Sequence, residues 1–288
     1  MQGPGRAPRV ADGVADGAAP VSGGRRRAYL TIAAVMALLC GLGFVALTAL
    51  TLALWLAGQD HATTPVGDLG FLALGGVMLG LGFGTQAWSG ARTVAGLQQA
   101  VIAVLALAVA GFLGGRVEPF WGGLLVLCLA LVMAALHPRR GTLLRLGARP
   151  NPALLALGLI ALVPAVLDAA HLLDLARGAG PSCFLGRCAT GDRYAELAAV
   201  VIATALLAVL AGLRTSGWPV PGWSAAIAAV LIGVPAITLP SLPGSAGPVW
   251  GTAAVVWGVV VGVITERDRR RERMPAPVRA RREPGALG

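Results

Sequence analysis

Apolar runs of about twenty residues, each bounded by charge, proline or glycine, recur along the whole chain. A hydrocarbon core of about 30 Å takes roughly 20 apolar residues to cross at 1.5 Å per residue. Eight runs meet that length: Leu30 to Ala57, Leu69 to Trp88, Ala95 to Gly114, Phe120 to Leu136, Ala153 to Leu173, Tyr194 to Leu213, Trp223 to Leu239, and Val249 to Thr265. The first is long enough to tilt, and the seventh is short with Pro235 inside it. The pattern predicts an all-α, polytopic transmembrane helix bundle of about eight spans. The apolar stretch from Ala28 to Ala57 exceeds a signal-peptide core of roughly 7 to 15 residues, so it is expected to stay as a span.

Composition supports lipid as the main solvent. Over 288 residues, 56% are hydrophobic and only 12% charged, with a mean hydropathy of +0.76; soluble domains carry about a quarter charged residues. The formal charge of +10 raises the question of nucleic acid. The arginines, however, sit in the tails and one internal loop, without interleaved aromatics or a recognisable nucleic-acid motif, so no nucleic-acid partner is expected. All 23 basic residues are arginine. With the dominance of Ala, Gly, Leu and Val, this is the usage that a GC-rich bacterial genome would write, so a bacterial plasma membrane is the expected location.

Arginine also orients the spans. Basic residues concentrate in cytoplasmic connections, and all but Arg116, Arg177, Arg187 and Arg193 fall in the two tails and the alternate connections holding Arg92, Arg139 to Arg149, and Arg214. Both termini are therefore expected in the cytoplasm, with the Arg-rich tails meeting the anionic lipids of the inner leaflet. Asp60, Asp68, Glu118, Asp168, Asp174, Asp192 and Glu196 fall on the outer side. Tyr29, Trp55, Trp88, Trp121, Tyr194, Trp223 and Trp250 lie near span ends, where amphipathic rings favour the headgroup zone.

Residues 1–27 and 266–288 are rich in Pro, Gly and Arg, too short and polar to bury a core, and are expected to be disordered flanks of a bundle covering 28–265. Within the bundle, 28–137 and 152–265 share a layout of loop lengths that fits a four-plus-four repeat, with Gly67-Asp68 before the second span and Gly191-Asp192 before the sixth. The simpler reading is that each Asp caps a helix start.

Candidate chemistry is sparse. Gly76, Gly80 and Gly84 form overlapping GxxxG units in the second span, and Gly258 and Gly262 repeat the spacing in the eighth. Such glycines let helix backbones approach closely, either within the bundle or in a dimer face. Cys40 and Cys128 lie within spans as small apolar residues. Cys183 and Cys188 bracket four residues in the longest outer loop, where a disulfide is expected, with a metal pair as the alternative.

Asp168, His171 and Asp174 recur at i, i+3 and i+6 on one face of the fifth span. Asp168 stands about 22 Å along that helix, and Glu196, one turn into the sixth span, reaches a similar depth. Roofed by the Cys183 to Cys188 loop and approached by His61 of the first outer loop, these residues make a candidate outer-leaflet polar site able to hold a divalent cation, relay protons or bind a cationic solute. Against this stands plain interfacial pairing of Asp174 with Arg177 and Glu196 with Arg193. His137, before Pro138 at the cytoplasmic edge, reads as a cap for the fourth span.

No Walker A, HExxH, nucleophile elbow or dinucleotide fingerprint occurs, so no cofactor is implied. Mid-membrane acids of a proton pump and the arginine ladder of a voltage sensor are also missing from the spans. The readings that remain are a small permease or channel with its site between spans five and six, a metal-dependent membrane enzyme, and an accessory protein without catalysis.

Overall fold

The computed structural model describes residues 23–57, 65–143, 145, 147, 149–180 and 190–273. Among these, eight helices are long and apolar enough to cross a bilayer: α1 (Gly23–Leu50), α2 (Gly67–Trp88), α3 (Ala95–Leu113), α4 (Val117–Leu136), α5 (Pro152–Gly178), α6 (Gly191–Gly212), α7 (Pro219–Thr238) and α8 (Gly247–Arg273). The architecture is an all-α bundle suited to an integral membrane protein. His61, Cys183, Cys188 and the expected disulfide lie outside the described residues.

Local sequence explains several helix boundaries. Asn151 caps α5, its side-chain oxygen accepting from the backbone N–H groups of Ala153 at 2.9 Å and Leu154 at 3.2 Å, and Pro152 follows at the first helical position. Pro219 opens α7 in the same way. Two helices run past the expected span limits: α1 begins at Gly23, and α8 continues to Arg273, so that residues 266–273 of the expected tail are helical. Ion pairs from Glu266 to Arg269 and Arg270, each at 2.7 Å and one turn apart, support that extension.

Helix α6 is the axis of the bundle, packed against α2, α3, α5 and α7. Its lining is rich in small side chains, with Ala195, Ala198, Ala199, Ala203, Ala208 and Ala211 all buried. Where lipid removes the hydrophobic drive between helices, small residues gain contact by letting backbones approach. By contrast, α5 turns Leu159, Ile160, Val163, Val166 and Leu167 outward, as a lipid-facing helix does.

Helices α1 and α2 each contain a π-helical stretch, Leu39–Gly43 and Ala73–Gly80, and the two stretches pack against each other. A Cβ on Gly80 would lie 2.9 Å from Gly41 Cα, so a side chain there would press on backbone and not on a flexible side chain. Of the other GxxxG positions in α2, a Cβ on Gly76 would meet the flexible Leu72 Cδ1 at 2.9 Å, and one on Gly84 only Ala37 Cβ at 3.9 Å. In α8, Gly258 faces the Ala226 carbonyl of α7 at 2.8 Å and Gly262 faces Ala226 Cβ at 3.4 Å, measured in the same way.

Contacts gather the ends of α1, α4, α5 and α8 at one pole. Arg25 donates to the Ala135 carbonyl, and the Asn151 amide donates to Asp268. This arginine-rich pole also holds the α6–α7 connection, which is tied to α8: Arg214 pairs with Asp268 and, at 2.8 Å, with Glu272, while Trp218 Nε1 donates to Glu272 at 3.1 Å. The Arg214 guanidinium stacks on the Trp218 ring at 4.7 Å.

Candidate functional site

At the opposite, acidic pole the first turns of α6 and α2 meet the start of α4. Arg193 is the hub: its Nη1 donates to Glu196 at 2.7 Å, its Nε lies 3.9 Å from Asp68, and its guanidinium covers the Phe71 ring at 4.1 Å. Glu196 and Asp68 are 9% and 6% exposed. Facing α6 lies Arg116, which precedes α4 and is 3% exposed. It donates from Nη1 to the Gly180 carbonyl at 2.8 Å and from Nη2 to the Ala179 carbonyl at 2.6 Å, closing the end of α5. Its guanidinium lies where a Cβ on Gly191 would sit 2.2 Å from Arg116 Cζ, so only glycine admits it there.

Asp192 lies in the first turn of α6, next to Arg193 in sequence. It is 3% exposed, and neither carboxylate oxygen has a hydrogen-bond partner. Arg116, Arg193 and the exposed Glu118 are close enough for their charges to act on it. The cluster therefore sets four carboxylates against two guanidinium groups around the start of α6. Buried charges that are not fully hydrogen-bonded are costly, and an ionisable group retained in a span marks a place of interest.

The sequence-derived site divides. Glu196 enters the cluster just described, on the α2 side of α6. Asp174 pairs with Arg177 at 2.6 Å on the outside of α5, with the two side chains 73% and 52% exposed; such a pair contributes little. His171 is also exposed and Asp168 half-buried. No hydrogen bond or ion pair joins Asp168 or His171 to Glu196 among the described residues. Nor do the described residues contain a group of three or more His, Cys, Asp or Glu side chains arranged to hold a metal ion.

Sequence reasoning left out Asp68, Arg116 and Asp192. It read the two aspartates as helix caps, yet both are buried, and Asp192 caps no backbone N–H. One signal was present: a Gly-Asp pair, Gly67-Asp68 and Gly191-Asp192, stands at the start of both α2 and α6, and the fold brings those starts together, with Gly70 of α2 closing on Leu197 of α6.

At the arginine-rich pole His137 is completely buried. Its Nε2 donates to the Thr93 carbonyl at 3.3 Å and its Nδ1 accepts from the Arg139 backbone N–H at 3.0 Å. The ring meets Tyr29 edge-on at 5.2 Å, and the Tyr29 hydroxyl donates to Gln86 at 2.8 Å. Burial pushes the imidazole below its ordinary pKa, and the Arg139 charge adds to this against the opposing Thr93 bond. Deeper in, Gln99 Nε2 bridges the Met78 carbonyl of the α2 π-helical stretch at 2.7 Å and Ser224 of α7 at 2.9 Å.

No known protein family, curated protein or solved structure matches the chain.

Proposed function

We propose that this chain is a small permease or channel of a bacterial plasma membrane, with its polar site at the acidic, outward-facing pole on the α2 side of α6. The observation that carries the reading is the placement of ionic clusters at both ends of the most buried helix: Arg193 with Glu196 and Asp68 at one end, and Arg214, just past the other, with Asp268 and Glu272. Charges taken out of water need a return for their desolvation. Paired closures at opposite ends of a central helix suit a path that opens alternately to the two sides. The acidic character of the outward pole favours cationic solutes, while the Arg-rich tails face the anionic lipids of the inner leaflet. In this arrangement Asp168, His171 and Asp174 belong to the headgroup-facing rim of α5.

The test is uptake into proteoliposomes, using a panel of small cationic, anionic and zwitterionic solutes. Protein-dependent uptake is expected, reduced about tenfold or more by Glu196→Gln, which removes one charged partner of the hub. Rates equal to protein-free vesicles across the panel would retire the permease reading. An unchanged rate in Glu196→Gln would move the site elsewhere.

A further inference from the structure

The two guanidinium groups nearest Asp192 are committed to other acceptors. Arg116 spends both terminal nitrogens on the carbonyls of Ala179 and Gly180, and Arg193 gives its Nη1 to Glu196. Asp192 thus feels positive charge from both arginines but receives no hydrogen from either, with both oxygens sealed from water. A carboxylate in that position has up to four acceptor sites to fill. A carboxylate neighbour, Glu118, is exposed and close enough for its charge to act on Asp192. A divalent metal is a poor match, since among the described residues no three His, Cys, Asp or Glu side chains are arranged to hold one. A group that brings N–H donors satisfies what Asp192 lacks, and a cationic one offsets the excess of four carboxylates over two guanidinium groups in the cluster.

We infer that Asp192, with Glu118 as its exposed carboxylate neighbour, binds a small cation bearing N–H donors, an ammonium or guanidinium group, beside Arg116 and Arg193. This names the substrate class of the permease proposed above and rests on that reading only for its transport consequence. The orphaned carboxylate oxygens supply the hydrogen-bond acceptors, and the net negative cluster supplies the charge preference.

Isothermal titration of the purified full-length protein in detergent tests the site without vesicles, using methylammonium, tetramethylammonium and sodium as probes. Saturable methylammonium binding is expected, with no binding of tetramethylammonium, which has the charge but no N–H. Asp192→Asn should weaken methylammonium at least about tenfold, the scale of one charge-assisted hydrogen bond, while Asp192→Glu keeps it and guards against a folding artefact. Sodium matching methylammonium would overturn the N–H donor requirement. Failure of methylammonium to bind, or an infrared carboxylic-acid band in the unaltered protein that disappears in Asp192→Asn, would overturn the site by showing that a proton occupies it. Methylammonium binding without uptake in proteoliposomes would sink the permease and leave the site standing. Uptake of another solute without methylammonium binding would do the reverse.

Discussion

His137 illustrates how a single side chain inside this bundle is fixed by what each of its atoms touches. Both ring nitrogens are engaged, one giving a hydrogen to Thr93 and the other receiving one from Arg139. A second ring proton would face an N–H and would be buried without an acceptor. The folded state therefore favours the neutral ring, and its pKa is lowered by burial first. Above the ordinary imidazole value of about 6.5 the ring is neutral folded or unfolded, and its contribution is complete. As the pH falls below that value the unfolded chain takes up the proton first, and the contribution is lost by the time the pH passes the lower folded value. Thermal unfolding at pH 8 and pH 5 should show the unaltered protein losing more stability on acidification than His137→Gln; equal losses would contradict the assignment.

The Arg193 hub gives a second residue-level prediction. Glu196→Gln leaves a buried guanidinium with Asp68 as its remaining ionic partner, and should cost up to about 3 kcal/mol of unfolding stability. Replacing both Arg193 and Glu196 with methionine removes the stranded charge and should cost less than the sum of the single changes. Additive losses in a double-mutant cycle would mean that the pair is not coupled.

Among the helices, α5 and α6 show what the sequence makes legible and what it hides. Their most apolar stretches have nearly equal hydropathy, 2.3 and 2.2, yet 17% of one and 83% of the other is buried. In water these would read as different helices. In lipid an outward Leu and an inward Leu are equally well solvated, so apolar length reveals a span but not the direction each face takes. The eight spans were accessible from run length for this reason. The placement of Glu196 on the α2 side, away from His171, was not. Side-chain size carries the missing information, since α6 lines its interior with alanine while α5 turns Leu159, Ile160 and Leu167 to the bilayer. Packing also discriminates among glycines that share a GxxxG spacing. Gly80→Ala presses a Cβ onto the Gly41 backbone and should cost about 1–3 kcal/mol, whereas Gly84→Ala meets only Ala37 Cβ at 3.9 Å and should change unfolding stability little. The end of α8 has its own dependence. Arg214→Ala removes an ionic partner from both Asp268 and Glu272, and trypsin should then cut near Arg267 and Arg269 severalfold faster; an unchanged cleavage rate would show that the extension holds without that tie.

For the whole molecule, the gathering of α1, α4, α5 and α8 at one pole fits an even number of crossings, with both ends of the described chain on one side of the membrane. Arginine enrichment predicts that this side faces the cytosol. Reporter fusions should place residue 288 in the cytosol and the segment around Arg187 outside it, and thiol labelling of intact cells should leave Cys183 and Cys188 unreactive until a reductant is added. Cytosolic exposure of Arg187 would invert the orientation and move the acidic pole to the inner face. The two anchorages of α6 also limit how it moves. A helix held by Asp68 near its first residues and by Asp268 just past its last is hindered from sliding like a piston along the bilayer normal, because such travel stretches both ion pairs at once. Tilting about its alanine-rich waist preserves one anchorage while releasing the other, so rocking is the low-cost displacement this bundle permits.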